Sequence, residues 1–307
     1  MKIVFMGTPN AAVQSLARSV SDGHDVVAVY TQPDRPAGRG NKIAFSPVKE
    51  SALKMGIPVL QPTKIKTPEA LAELKSFAAD VLVVVAYGRI LPEAFLNAFP
   101  RGAVNVHFSL LPKYRGAAPV NWAIVNGEKV TGVTTMKMDV GLDTGDILLQ
   151  RETEIGPSET AIELMERLSS VGAELLSETL RKFETIVPRR QNDIDASFAP
   201  IMKKEDGLIS WMLGADEIAR RVRGFQPFPT TFTYFEDKKL TLWRAEKTDT
   251  ESSGEIGEII EAKGDMLLVT CGGGSVLKID ELQLEGKRRM TTRDFLNGIK
   301  LRPGQII

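Results

Sequence analysis

Asn105 and His107 stand two residues apart in AVNVHF, residues 103–108, a run otherwise rich in valine. In an extended chain, residues two apart share a face. A strand here therefore presents an amide and an imidazole side by side, near its C-terminal end. Such polar groups are costly among valines unless they are hydrogen-bonded. A satisfied structural pair is one reading. A ligand site is the other, because open α/β sheets bind at the carboxyl ends of their strands. Downstream, MDVGLDTGD (138–146) places Asp139, Asp143 and Asp146 in a loop punctuated by glycines. Three roles are open to these carboxylates: oxygen ligands for a metal, although the spacing is not that of an EF-hand; one partner for the histidine, raising its pKa or fixing its tautomer; or a structural turn.

Gly7–Thr8–Pro9 follows the first strand-like run directly. It permits a tight strand-to-helix turn with backbone N–H groups exposed at a helix start. It is neither GxGxxG nor a P-loop. His24, in the polar turn SDGHD, reads as a surface or capping residue. The segment 32–45 holds Pro33, Pro36, Gly38 and Gly40 with Arg35, Arg39 and Lys42, a long basic loop of the kind that carries function at a crevice rim.

The first half of the chain alternates between two periods. KIVFM (2–6), DVVAVYT (25–31), VLVVVA (81–86), AVNVHF (103–108), TGVTTMKM (131–138) and DILLQRETEI (146–155) read as strands. Helical spacing runs through 10–20, 47–55, 68–77 and 158–183, two of these segments with a proline near the start. The alternation implies a doubly wound, mostly parallel sheet. Residues 189–205 show no clear period and read as a linker between a domain at 1–188 and a second at 206–307. The second domain has short strands at even spacing, expected of a small barrel or sandwich, with helices at 213–223 and 291–299.

At 307 residues the chain is long enough for two such domains. The composition, 43% hydrophobic and 25% charged, argues against global disorder. A single cysteine, Cys271, excludes an internal disulfide framework, and two histidines argue against a zinc site. The longest apolar run, 81–87, is far short of a membrane span, and the start has no signal-peptide pattern, so no membrane role and a cytoplasmic location are expected. The 39 basic and 39 acidic residues cancel, which removes the crude signal for nucleic acid without excluding a local patch. Arg189–Arg190, Lys203–Lys204, Arg220–Arg221 with Arg223, and Lys287–Arg288–Arg289 are the basic clusters.

NVHFSLLPKYRGAAP followed by TGVTTMKMDVGLDTGDIL resembles the folate-dependent formyltransferases. The shared pattern is Asn105–x–His107, then Ser109, Leu110, Leu111 and Pro112, then Asp143. With TQPDRPAGRG (31–40), GAAPVNWAI and a second domain after a linker, the resemblance extends over essentially the whole chain. It points to the branch whose acceptor is the methionyl group on initiator tRNA. Phe108 departs from the pattern, since several relatives carry glycine there.

The resemblance implies a Rossmann-like catalytic domain and an oligonucleotide-binding-type (OB-like) barrel in a monomeric enzyme. The implied reaction moves the formyl group of 10-formyltetrahydrofolate to the α-amine of the charged tRNA. Neither a metal nor a covalent enzyme intermediate is implied. Asn105 and a protonated His107 would supply donors to the oxyanion. Asp143 would keep His107 protonated and assist proton transfer. Ala86, Tyr87, Gly88, Ile90 and Leu91, with Asp139 and Val140, would face the pterin, and Ser109–Pro112 would line the folate. The loop with Arg35, Arg39 and Lys42 would wedge into the acceptor stem, and the clusters named above would extend a tRNA track.

Three rival functions use the same residues: a formyltransferase for glycinamide ribonucleotide or an amino sugar, a hydrolase that releases formate, and a tRNA-binding protein with a vestigial crevice. A dinucleotide oxidoreductase lacks the glycine fingerprint.

Overall fold

The computed structural model describes residues 1–37 and 42–307. In chain order the first part holds β1 (Lys2–Gly7), α1 (Val13–Ser21), β2 (Asp25–Tyr30), β3 (Arg35–Ala37), β4 (Lys42–Ala44), α2 (Pro47–Lys54) and β5 (Val59–Leu60). Next come α3 (Pro68–Ser76), β6 (Val81–Val85), α4 (Glu93–Leu96), β7 (Ala103–His107), β8 (Arg115–Gly116) and α5 (Pro119–Val125). They are followed by β9 (Val130–Lys137), β10 (Ile147–Glu154), α6 (Ala161–Arg181) and β11 (Phe198–Ala199). The remainder comprises α7 (Ala215–Gly224), β12 (Thr231–Phe235), β13 (Lys238–Glu251), β14 (Ile259–Lys263), β15 (Met266–Thr270), β16 (Ser275–Leu284), β17 (Met290–Thr291) and α8 (Thr292–Gly298).

The chain divides into two compact units. One comprises Met1–Pro119, Val130–Glu154 and Met165–Ala199; the other comprises Val120–Lys129, Ile155–Leu164 and Pro200–Ile307.

The first unit is built on a seven-stranded sheet in the order β10–β9–β7–β6–β1–β2–β5. The five strands from β7 to β5 are parallel, and β9 and β10 add antiparallel to the β7 edge. Every residue of β6 is buried, as a parallel strand covered on both faces requires. The prolines at 47 and 68 begin helices because the missing N–H falls where no intrahelical partner exists. Ser46 and Thr67 accept hydrogen bonds from the backbone N–H of Lys49 and Ala70, completing both caps. The sequence pattern starts the long helix at Ser158, whereas the structure starts α6 at Ala161. Thr160 sets that boundary: its backbone N–H and hydroxyl both donate to the Glu163 carboxylate at 2.9 Å.

The topology turns over between β1 and β6. From β1 the chain winds outward to β2 and β5; from β6 it winds the other way to β7 and β9. A crevice is expected at this reversal, beyond the carboxyl ends of the strands.

In the second unit an antiparallel sheet runs β12–β13–β16–β15–β14, with β17 on β16. Three register shifts between β13 and β16 bend the sheet around one core containing Trp211, Phe235, Leu242, Val269 and Phe295. The small barrel expected from the sequence corresponds to this curled sheet. Among the described residues its edges, β12 and β14, do not pair with each other. No helix among the described residues is long and apolar enough to cross a membrane.

Cys271 lies fully buried in this second core, and burial pushes its thiol up to about 12. A raised folded value favours the native state below the unfolded thiol's value of about 8.5, and that contribution is lost as pH rises towards 12. The native protein is therefore expected to resist a thiol reagent at pH 8, with labelling appearing only as denaturant unfolds this unit. Prompt stoichiometric labelling of the folded protein would contradict the burial.

Candidate functional site

Strand β7 carries the polar pair. Asn105 is in register with Val84 of β6 and Met136 of β9, and His107 with Thr134. Both side chains are nearly buried, Asn105 at 8% and His107 at 6% exposure. Among the described residues nothing hydrogen-bonds the Asn105 amide. His107 is held: its Nε2 lies 2.9 Å from the Tyr114 carbonyl oxygen. A carbonyl only accepts, so Nε2 carries the hydrogen and donates. The tautomer is thereby fixed, and Nδ1 is left as the nitrogen facing Asp143, with Oδ2 at 3.7 Å. That separation is an ion-pair distance rather than a formed hydrogen bond.

Asp143 is the one aspartate of its loop that turns to the histidine. Its Oδ2 accepts the Gly116 N–H at 2.8 Å. Asp139 braces the loop, its Oδ1 accepting from Gly141 N–H at 3.1 Å and from Thr144 Oγ1 at 2.7 Å. Asp146 contributes its backbone carbonyl, which accepts from Lys137 N–H at 2.9 Å. Among the described residues no three His, Cys, Asp or Glu side chains stand together as a metal-binding group. The glycines have a steric reason. A Cβ at Gly145 would sit 1.8 Å from the Lys137 carbonyl oxygen, and one at Gly116 would sit 2.7 Å from that of Ala199. Gly116 also has φ of 121°, which disfavours any side chain.

A cavity of about 610 Å³ opens over this pair within the first unit, a size suited to a small-molecule ligand. Pro9–Ala11 after β1, Ala86–Leu91 after β6, Asn105–Phe108 and Asp139–Asp143 line it. These are the strand ends at the topological reversal. Thr8 Oγ1 and Gln32 Nε2 both donate to the Tyr87 carbonyl at 3.1 Å, fixing the turn after β6 where Ala86 and Gly88 take positive φ. Ile90, Val140 and Leu142 leave apolar side chains exposed here, at 76%, 69% and 56%. Phe108 lines the cavity too, its ring close to Gly172 of α6, where a Cβ would stand 3.4 Å from the ring.

The structure brings Ala86, Tyr87, Gly88, Ile90, Leu91, Asp139 and Val140 to this cavity, but not Ser109, Leu110, Leu111 or Pro112. The turn 109–112, expected to line the folate, is held by its own bonding. Ser109 Oγ donates to the Lys113 carbonyl at 2.6 Å, and Thr134 bonds both the Ser109 carbonyl and the Leu111 N–H. Leu111 packs with Met136 and Ile147. The turn is tied to β9 and delivers Tyr114, Arg115 and Gly116 to the site. Sequence reasoning missed Tyr114, Arg115 and Gln191; the last lies in the segment read as a linker. Residues 189–199 of that segment belong to the first unit, with β11 pairing β8 in parallel.

The basic clusters differ in how their charges are engaged. Arg35 is exposed, Arg39 lies outside the described residues, and of Lys42 only the backbone, in β4, is described. At the root of this loop, hydrogen bonds from Lys49 and Gln61 hold the Asp34 carboxyl below the usual carboxylate range. Arg220 and Arg221 of α7 pair with Asp216 and Glu217, and Arg223 donates to the Glu159 carbonyl. Desolvation lowers the Arg223 pKa. Arg289 pairs with Glu281 and lies over the Trp243 ring. Arg189 donates to Gln150 Oε1, while Arg190, Lys203, Lys204, Lys287 and Arg288 are exposed. Arg220 and Arg221 are thus neutralised locally, and the exposed Arg190, Lys203, Lys204, Lys287 and Arg288 carry more of the accessible charge.

Comparison with known proteins agrees with this architecture. The formyl transferase family pattern matches residues 1–180, and the formyl transferase C-terminal domain pattern matches 201–300. The chain is 50% identical to a methionyl-tRNA formyltransferase of Citrifermentans bemidjiense, over 100% of this chain and 96% of that one. It is 49% identical to one of Caldanaerobacter subterraneus subsp. tengcongensis, over the full length of both. Among solved structures, the N-formyltransferase from Helicobacter canadensis, determined with folinic acid and dTDP-3-aminofucose, superposes with a TM-score of 0.68. That match is 23% identical and covers 91% of this chain and 98% of that one, so it speaks to the fold alone. With both domain patterns present and identity near one half from end to end, the chain belongs to the methionyl-tRNA formyltransferase family.

Proposed function

We propose that this protein transfers the formyl group of 10-formyltetrahydrofolate to the α-amino group of methionyl initiator tRNA, as a monomer in the cytoplasm. The observation that carries the chemistry is the Asn105 amide, without a partner among the described residues, beside a tautomer-fixed His107 on the wall of one cavity. The acceptor is drawn from the relatives, which match this chain through both units.

The cavity suits a folate. It has room for a fused ring system, and the exposed Ile90, Val140 and Leu142 offer apolar surface that a flat heterocycle would cover. The donor supplies an activated formyl group on its N10. Around that carbon, Asn105 offers an N–H to the oxygen as it gains negative charge. His107 keeps Nε2–H on the Tyr114 carbonyl and exchanges its proton at Nδ1, with the Asp143 carboxylate opposite to stabilise the charged ring. The amine forms the new C–N bond, the N10–C bond breaks, and one proton moves from the amine to N10 through this relay. Binding both reactants in one orientation contributes much of the acceleration.

The test is formyl transfer with charged initiator tRNA, free methionine and glycinamide ribonucleotide as parallel acceptors. Product on the tRNA alone is expected. Transfer only to a small amine, or formate release without acceptor, would overturn the reading.

The exposed cations give a second expectation. Reversing Lys203 and Lys204 to glutamate, or Lys287 and Arg288, should raise the KM for charged tRNA roughly tenfold, the order expected when a few phosphate contacts are lost. The KM for the folate should not move. Unchanged tRNA kinetics in both double variants would remove these clusters from the acceptor site.

A further inference from the structure

We infer that Gln191 is a positioning residue that holds the Asp143 loop in register with His107. The inference rests on the proposed role of Asp143. Its basis is a buried network that reaches the loop from outside the cavity. The Gln191 amide donates from Nε2 to the Asp143 carbonyl at 2.8 Å and to the Gly145 carbonyl at 2.7 Å. Its Oε1 accepts from Arg115 Nε at 3.0 Å and Nη2 at 2.8 Å. A flipped amide would set its NH₂ against the guanidinium and its oxygen against two carbonyls, so the orientation has one solution. Gln191 is 6% exposed and Arg115 is 4% exposed, so neither finds water as an easy substitute. Arg115 is anchored in turn by Asp193, at 2.8 Å.

The network grips Asp143 from two sides. Gln191, oriented by Arg115, holds its backbone; the next residue, Gly116, donates its N–H to the carboxylate. Asp143 has φ of 53°, a left-handed conformation uncommon outside glycine and maintained where surroundings impose it. Tyr114, the residue before Arg115, fixes the imidazole. Three consecutive residues thus set the histidine, the glutamine and the carboxylate relative to one another. Without the Gln191 amide, the loop loses two of the bonds that keep the carboxylate 3.7 Å from Nδ1.

The test measures kcat and KM of the full-length enzyme, with 10-formyltetrahydrofolate and charged initiator tRNA, for Gln191→Met, Gln191→Glu, Asp143→Ala and the double variant Gln191→Met with Asp143→Ala. Both Gln191 variants should lose about 10²-fold in kcat, the scale of a small misplacement of a reacting group. Both KM values should stay near wild type. The Glu variant keeps its partner Arg115 but turns an acceptor toward two carbonyl oxygens, so it reads the positioning role even if the Met variant fails to fold. On the Asp143→Ala background, Gln191→Met should cost little more, because the glutamine acts through that aspartate. Wild-type kcat in the Glu variant, or losses that multiply in the double variant, would overturn the inference while leaving Asp143 in place. A normal kcat in Asp143→Ala would instead remove the aspartate from the site, and this inference with it.

Discussion

Asn105→Ala is expected to lower kcat by about 10²–10³-fold, the usual cost of one oxyanion donor. The KM for the folate donor should change little. The amide has no partner among the described residues, so its removal strands no other group of the protein. A neutral formyl oxygen gains modestly from one N–H donor, whereas an oxygen carrying developing charge gains much more. The loss should therefore fall on the chemical step, and single-turnover transfer reads it directly. A variant with normal kcat and a raised folate KM would make Asn105 a ground-state binding residue instead.

His107→Ala and Asp143→Ala should each lower kcat by about 10²–10⁴-fold, the range for a positioned acid–base group. The imidazole and carboxylate face each other at 3.7 Å and bear on one proton, so the double variant should fall well short of the product of the single losses. His107→Ala also removes the buried hydrogen bond from Nε2 to the Tyr114 carbonyl, and a lowered melting temperature should accompany it. Asp143→Ala frees the Gly116 N–H, with a smaller effect on stability expected because the carboxylate is at the cavity wall. Fully multiplicative losses, measured in steady-state kinetics of the three variants, would mean that the two residues do not act as a unit.

Parts of this site are legible in the sequence for physical reasons. Two polar residues at a period of two in a valine-rich strand mark one face of a buried strand. Uninterrupted apolar residues at 81–85 mark the parallel strand beside it. Which of Asp139, Asp143 and Asp146 meets the histidine is not legible from spacing, because side-chain direction in an irregular loop depends on each φ; Asp143 faces inward through its left-handed backbone. What holds the turn at 109–112 is not legible either, because adjacency to His107 says nothing of Thr134, 25 residues away from Ser109, which ties the turn to the sheet. Gln191 is invisible to any local pattern: its partner Arg115 lies 76 residues earlier, and its own segment has no periodicity. The charge clusters show the same limit. Arg220 and Arg221 look free in sequence, yet one helical turn away Asp216 and Glu217 neutralise them.

Catalysis as proposed requires the donor's formyl group to come to the Asn105–His107–Asp143 wall of the first unit's cavity. The crystal structure of the complex with folinic acid tests it most directly. The pterin is expected between Ala86–Leu91 and Asp139–Leu142, covering Ile90, Val140 and Leu142, with the folate's N10 side within reach of the Asn105 amide and His107. Folinic acid seated elsewhere, with that cavity unchanged and Asn105 still without a partner, would contradict it.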